Sequence, residues 1–284
     1  MSIDRDSTIV NVISQNVLLD YRRTRDGLIL PQNDRVDSLA ATINNFPATP
    51  DVVGIQEAHK SKKQHNGKVL AEKCGYGPGF WVEHNQKLHK DAPRGRAGEY
   101  LGLFGAKVDR AKVTDLGDNR RALMVVIADV AFVTLHLRSG GGARQARRGQ
   151  AQKLTRALEE YEDAVVVGDF NEPPIWRVAL ARTEFARAGF RSVFPLTGQS
   201  YPPTSPISSY VEAAMDGRSR LEASLVRRSW PIDDILIRGD KVTALAAGVL
   251  ERVVVNNGEE KYPSAVPREG SDHDGVWATL EITP

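Results

Sequence analysis

Short apolar runs that end on polar side chains organise this chain. Residues 8–16, Thr-Ile-Val-Asn-Val-Ile-Ser-Gln-Asn, read as a strand closing on an amide. Val36, Leu39, Ala40 and Ile43 then recur at helical spacing between a candidate N-cap at Asn33 or Asp34 and a stop at Pro47. A second short strand, Asp-Val-Val-Gly-Ile-Gln-Glu, ends on Gln56 and Glu57. Residues 58–98 read as a basic, loop-rich stretch punctuated by Gly75, Gly77, Pro78, Gly79 and Pro93. From about residue 99 to 137 the pattern is β, with 123–130 and 131–137 separated by little more than a turn. Three glycines at 140–142 interrupt it, and a helix follows whose apolar stripe is Ala151, Leu154, Leu158 and Tyr161. That helix leads into Val-Val-Val-Gly-Asp-Phe-Asn, residues 165–171. A further helix is expected around 176–188 and an irregular, proline-rich segment over 195–206. Strands at 235–237, 242–255 and 275–282 complete the order. Early alternation of strand and helix followed by meander-like runs fits two packed sheets flanked by helices better than a simple βαβ series.

Composition narrows the class. The 284 residues are 41% hydrophobic and 26% charged, as in ordinary globular chains, and no composition shift marks a linker, so one domain over 1–284 is expected. Lys plus Arg number 38 against 36 Asp plus Glu, so any attraction for polyanions must come from local clusters. The single cysteine, Cys74, rules out an internal disulfide and reads as a small buried residue. Residues 1–6 are polar and charged, and no window approaches the ~20 apolar residues of a membrane span. A soluble, cytoplasmic protein with no membrane association is expected, a monomer by default with no obligate protein partner.

The chemistry gathers at strand ends. Asp169 and Asn171 fall on one side of an extended segment, with Gly168 permitting close approach just before them. Carboxylates and amides so placed suit a hard divalent cation and a positioned water, although the same residues also close turns after strands. His273, in Ser271-Asp272-His273-Asp274, is a candidate proton acceptor, with Asp233 or Asp234 to fix its tautomer; a turn-capping role is the alternative. His136 ends the run Ala-Phe-Val-Thr-Leu-His, where, taken alone, a core histidine satisfied by a backbone carbonyl is the favoured reading. His59, His65, His84 and His89 show no ligand-like spacing and read as surface residues.

The ordered set Asn16, Gln56-Glu57, Thr134-Leu135-His136-Leu137, Gly168-Asp169-Phe170-Asn171, Ile232-Asp233-Asp234-Ile235-Leu236 and Ser271-Asp272-His273 resembles the endonuclease/exonuclease/phosphatase superfamily. The resemblance implies an α/β four-layer sandwich, α/β/β/α, of two mostly antiparallel mixed sheets with the site at one end. It implies Glu57 as a metal ligand, Asn16 beside metal and phosphate, and Asp272 completing the acidic cluster. It further implies that Asp169 positions the attacking water with help from Asn171. His273, oriented by Asp233, would act on the scissile phosphate, and His136 would bind a phosphate oxygen or assist the leaving group. Mg²⁺, or alternatively Mn²⁺, is the implied cofactor. Two departures stand out: Ser14-Gln15-Asn16 lacks the family's usual aromatic, and Asp234 replaces an aromatic, adding negative charge expected to bear on the Asp233 and His273 pair.

Basic clusters speak to the substrate. Residues 138–156 hold six Arg or Lys and no acid, so Arg138, Arg144, Arg147 and Arg148 are candidates for a phosphate-tracking groove, unless they are only the solvated face of a helix. Lys87, Lys90, Arg94 and Arg96, near Trp81 and Tyr100, form a second cluster, and Arg218, Arg220, Arg227 and Arg228 a third. A metal-dependent nuclease acting on DNA or RNA is the leading reading. A hydrolase of a small phosphoester or phospholipid head group is the alternative, and a catalytically silent binding protein of the same fold comes last.

Overall fold

Alternation along each strand decides which side chains meet between the sheets and which meet the helices. The computed structural model describes residues 7–17, 32–60, 65–85, 99–108, 110–174, 179–205, 230–253, 271 and 273–284. Its first sheet has the order β11 (Val242–Val249), β12 (Val276–Ile282), β1 (Thr8–Asn16), β2 (Val52–His59), β4 (Glu99–Phe104), β3 (Phe80–Asn85). The second runs β5 (Lys112–Gly117), β6 (Arg120–Ile127), β7 (Val130–His136), β8 (Ala164–Asp169), β10 (Asp233–Arg238), β9 (Arg191–Ser192). Among the described residues, only β1 with β2 and β7 with β8 pair in parallel. A helix lies between the strands of each such pair: α1 (Gln32–Asn44) in the first sheet and α3 (Arg144–Ala157) in the second. This is the expected α/β sandwich of two mixed sheets.

Between the sheets lies a core of Val10, Val12, Leu103, Leu123, Phe132, Val165, Val167, Ile235 and Leu280. Outside the second sheet Ala151, Leu154 and Phe185 pack on Val133, Val166 and Leu236. Outside the first, Val36, Leu39 and Leu70 pack on Ile13, Val53 and Ile55. Strands β7 and β8 are buried on both faces, which explains their continuous apolar runs. The tight turns Asp118-Asn119 and Ala128-Asp129 carry positive φ at both residues, as two-residue hairpins require.

Several boundaries differ from expectation. Asn33 and Asp34 lie inside α1, which starts at Gln32. Residues 58–98 contain α2 (Asn66–Lys73) and β3, so this stretch is not simply loop. Both elements are too short for their periodicity to stand out; α2 is capped by His65, whose Nδ1 accepts from the Lys68 N–H at 3.4 Å. The helix expected from residue 176 is α4 (Leu180–Arg187), and among the described residues Glu172 Oε2 caps its start, accepting from Ala181 N at 2.8 Å. β11 ends at Val249, with a bulge at Ala244/Ala246. A short helix, α5 (Val193–Leu196), precedes the irregular segment at 197–205.

Candidate active site

The inner-face alternation that builds the core continues, at one end of the sandwich, into polar residues. On β8 the series Val165, Val167 reaches Asp169; on β7 Val130, Phe132, Thr134 reaches His136; on β10 Ile237, Ile235 reaches Asp233; on β1 Val10, Val12, Ser14 reaches Asn16. Register then fixes neighbours, pairing His136 and Asp233 each with Asp169, and Asn16 with Gln56. Gln56 spans the sheets, donating from Nε2 to Thr134 Oγ1 at 2.9 Å. Beneath it Gly54 allows close approach, since a Cβ there would lie 2.6 Å from Val167 Cγ2. Alternation alone would turn Glu57 away from this face. A bulge between Ile55 and Ala58 and a φ of 59° at Glu57 bring it back.

Asp169 is the hub. Its Oδ2 accepts from Asn16 Nδ2 at 3.1 Å and lies 3.6 Å from His136 Nε2 and 4.0 Å from His273 Nε2. Its Oδ1 accepts from the Asn171 N–H at 2.7 Å, an approach made possible by φ 51° at Asn171, whose own Nδ2 donates to Leu137 O. Asn16 Nδ2 also donates to Glu57 Oε1 at 3.1 Å, so the amide braces two carboxylates against each other. His136 Nε2 is 3.7 Å from Glu57 Oε1. Burial, and then the nearby charge of Asp233, push the Asp169 carboxyl up to about 7. Burial and then Arg120 hold the His136 imidazole well below its usual range, so this ring is neutral.

His273 meets the cluster from the other sheet. Its Nδ1 donates to Asp233 Oδ2 at 2.8 Å, which leaves Nε2 as acceptor for the Ser205 hydroxyl at 3.0 Å. Ser271 Oγ accepts from the His273 N–H at 3.1 Å and donates to Asn16 O at 2.5 Å, tying the segment before β12 to the end of β1. Thr204 Oγ1 accepts from the Asp233 N–H at 3.1 Å.

Glu57, His136 and Asp169, and separately Asp169, Asp233 and His273, present ligand atoms within 4.8 Å of one another. The donor set fits a hard divalent cation. Buried carboxylates converge, and Asp233 Oδ1 and His136 Nε2 are buried with no hydrogen-bond partner among the described residues, a costly arrangement unless a bound group meets them.

The structure thus brings together Asn16, Glu57, His136, Asp169, Asn171, Asp233 and His273. Asp272 lies outside the described residues, as do Lys87, Lys90, Arg94, Arg96, Arg218, Arg220, Arg227 and Arg228. Other expectations are corrected. Arg147 is not on a solvated groove: it is 1% exposed, its Nη1 donates to Arg138 O and Gly140 O, and its Nε lies 3.6 Å from Glu172 Oε1. Arg148 is bound to Glu184 at 2.7 Å, Arg138 lies 3.5 Å from Asp118, and Arg144 is half-buried at the start of α3. Asp234 faces away from His273, because β10 alternation sends it to the helical side, where Arg182 and Ser192 Oγ bind it. His84 is not a surface residue but fully buried, stacked on His136. Trp81 and Tyr100 pack around His65 on the outer face of the first sheet. Cys74 is half-buried, and burial pushes its thiol up to about 12, consistent with an inert role. Sequence reasoning missed Arg120, Thr204 and Ser205; the only signal for the last two was their place in an irregular polar loop.

Comparison with solved structures finds the same fold at low identity. A Bacteroides thetaiotaomicron endonuclease/exonuclease/phosphatase family protein matches at 17% identity and TM-score 0.66, covering 98% of this chain and 99% of that one. D. rerio TDP2 complexed with single strand DNA product matches at 19% identity and TM-score 0.64, covering 96% and 99%. The human Nocturnin catalytic domain with bound sulfate anion matches at 17% and 0.64, covering 97% and 94%. Comparison by sequence with curated proteins gives no match. The model of the Endonuclease/Exonuclease/phosphatase family matches residues 13–273, a span that holds every side chain of the cluster around Asp169. The chain therefore belongs to the endonuclease/exonuclease/phosphatase family, whose members are hydrolases acting on phosphoester bonds.

Proposed function

We propose that this protein is a divalent-metal-dependent hydrolase of phosphodiester bonds, a nuclease acting on DNA or RNA. One observation carries the reading: a single buried carboxylate oxygen, Asp169 Oδ2, has Asn16 at 3.1 Å, His136 at 3.6 Å and His273 at 4.0 Å, each from a different segment of the chain. Glu57, Asp169 and Asp272 would hold Mg²⁺ or Mn²⁺, with Asn16 bracing the carboxylates. Such a cation supplies charge neutralisation at the phosphoryl oxygens. His273, with Asp233 holding its Nδ1 proton, has an acceptor at Nε2 that would take the proton of an attacking water once the Ser205 hydroxyl turns away from it. Asn171 fixes the Asp169 carboxylate through its backbone N–H. The solved relative from D. rerio, complexed with a single strand DNA product, supports a nucleic acid substrate.

The test is a panel assay with Mg²⁺ or Mn²⁺ on single-stranded DNA, duplex DNA, RNA and a chromogenic bis-ester. EDTA is expected to abolish hydrolysis, and Asp169→Ala or His273→Ala to lower turnover by about 10²-fold or more. Full hydrolysis by both folded variants refutes the proposal.

A hydrolase of a small phosphoester is the second reading, and one observation favours it. Arg147, Arg148 and Arg138 all face carboxylates, which reduces the charge available to follow a phosphate backbone.

A further inference from the structure

Behind His136 lies a buried cluster that the proposed hydrolysis leaves unassigned. Arg120, the first residue of β6, places Nη1 2.5 Å from His84 Nε2 and 3.3 Å from His136 Nδ1. All three side chains are buried, and the two rings are stacked with centroids 5.3 Å apart and planes 20° from parallel. Glu99 Oε2 lies 3.7 Å from the same Nη1. His84, Glu99 and His136 also have ligand atoms within 4.8 Å of one another, but the guanidinium already brings positive charge to both rings, which argues against a cation there.

A guanidinium has only donors and does not lose its charge in proteins. Each ring nitrogen facing it must therefore accept, and the two hydrogens on Nη1 serve one ring each. His84, accepting at Nε2, carries its proton on Nδ1, so of the Arg121 carbonyl and N–H, each 3.2 Å away, it is the carbonyl that this nitrogen bonds. A neutral His136, accepting at Nδ1, must carry its proton on Nε2, which points at Asp169 Oδ2 and Glu57 Oε1. His273 is the reverse: its Nδ1 faces the Asp233 carboxylate and its Nε2 is left as acceptor.

We infer that Arg120 is a positioning residue that fixes His136 as an Nε2–H donor, so that the two imidazoles flanking Asp169 are held in opposite tautomers. His136 donates a hydrogen bond to a phosphoryl oxygen without giving up its proton, while His273 accepts one. What the donor meets rests on the phosphoesterase reading; which nitrogen carries the proton does not.

Two-bond ¹H–¹⁵N correlation spectra of ¹⁵N-histidine-labelled protein read this directly, with His136→Asn used only to assign the resonance. The wild type is expected to show His136 protonated on Nε2 and His273 on Nδ1. Arg120→Met, which removes the donor, is expected to release His136 into a mixture of tautomers and to lower turnover by about 10²-fold with KM little changed. Arg120→Lys is expected to restore the Nε2–H tautomer and most of the turnover. His136 protonated on Nδ1 in the wild type overturns the inference even if phosphodiesters are cut, and so does an unchanged tautomer in folded Arg120→Met. The expected tautomers in a protein that cuts no phosphoester retire the proposed function and leave the tautomer assignment standing. Should Arg120→Met not fold, the wild-type and Arg120→Lys spectra decide.

Discussion

Gly168 joins the fold to the site, and replacing it with alanine tests both. The residue lies opposite Leu135 in the parallel β7/β8 pair, at φ 147°. A Cβ added there would stand 2.0 Å from the Leu135 carbonyl oxygen, where real Cβ contacts essentially never fall under 3.0 Å. The obstructing atom is backbone, so no rotamer relieves it, and the strands must part by about 1 Å, the difference between those two distances. The strained backbone costs an L residue about 1–3 kcal/mol and the overpacking a similar amount. The sum, about 2–6 kcal/mol, is a large share of the roughly 5–15 kcal/mol that stabilises a typical domain. The same strands carry His136 and Asp169 in register, and a displacement of about 1 Å at catalytic groups costs about 10²-fold in rate, so turnover of the folded fraction falls as well. Urea unfolding followed by far-UV circular dichroism gives the stability change, and kinetics on the folded protein give the rest. Gly149→Ala is the control: nothing lies within 4 Å of its added Cβ, and it sits inside α3, so stabilisation by about 0.5–1 kcal/mol is expected. A Gly168→Ala protein as stable as wild type refutes the close approach of the two strands.

Three other outcomes are expected. Asp233→Asn puts an amide where the carboxylate holds His273 Nδ1, and its NH₂ edge moves the ring proton to Nε2; turnover falls by about 10²-fold or more, further than in Asp233→Ala, and wild-type turnover would count against the assignment. Arg147→Met takes away the guanidinium facing buried Glu172, leaving it only the N–H groups at the start of α4, so stability drops by about 3–5 kcal/mol while the salt slope of nucleic acid binding stays put, whereas Arg144→Ala lowers that slope by about one. Salt titrations of fluorescence anisotropy separate these, and a flattened slope for Arg147→Met alone reverses the assignment. Burial, then Lys68 and Lys60, lower the His65 pKa from 6.5 to about 4, so the folded state binds fewer protons than the unfolded chain in that window. Stability therefore declines as pH falls from 6.5 toward 4, and His65→Gln is expected to flatten that part of the profile; superimposable profiles would show that His65 is not the cause.

Much of the site was legible because strands have a fixed period. Once β7 and β8 are recognised as strands, two-residue steps carry Phe132 to His136 and Val165 to Asp169 on the buried face, and the family's block order supplies Asn16, Glu57, Asp233 and His273. The same period correctly separates Asp233 from Asp234, but it could not name Arg182 as the partner that neutralises Asp234. Where pairing across distant segments decides, the sequence was silent. His84 is buried because β3 brings it against Arg120 and His136 of the opposite sheet, and nothing in its local polar surroundings announces that. Arg147 turns inward for Glu172 and for two carbonyls before α3, against a helical pattern that placed it with the solvated basic face. Glu57 reaches the site only through a bulge, which depends on how β2 meets β4.

β12 lies between β11 and β1, and the segment just before it delivers His273. During synthesis, then, a ribosome-tethered polypeptide that has not yet extruded this strand lacks both the seal of its first sheet and the imidazole opposite Asp169. Truncation ahead of β12 therefore removes sheet closure and imidazole in a single cut.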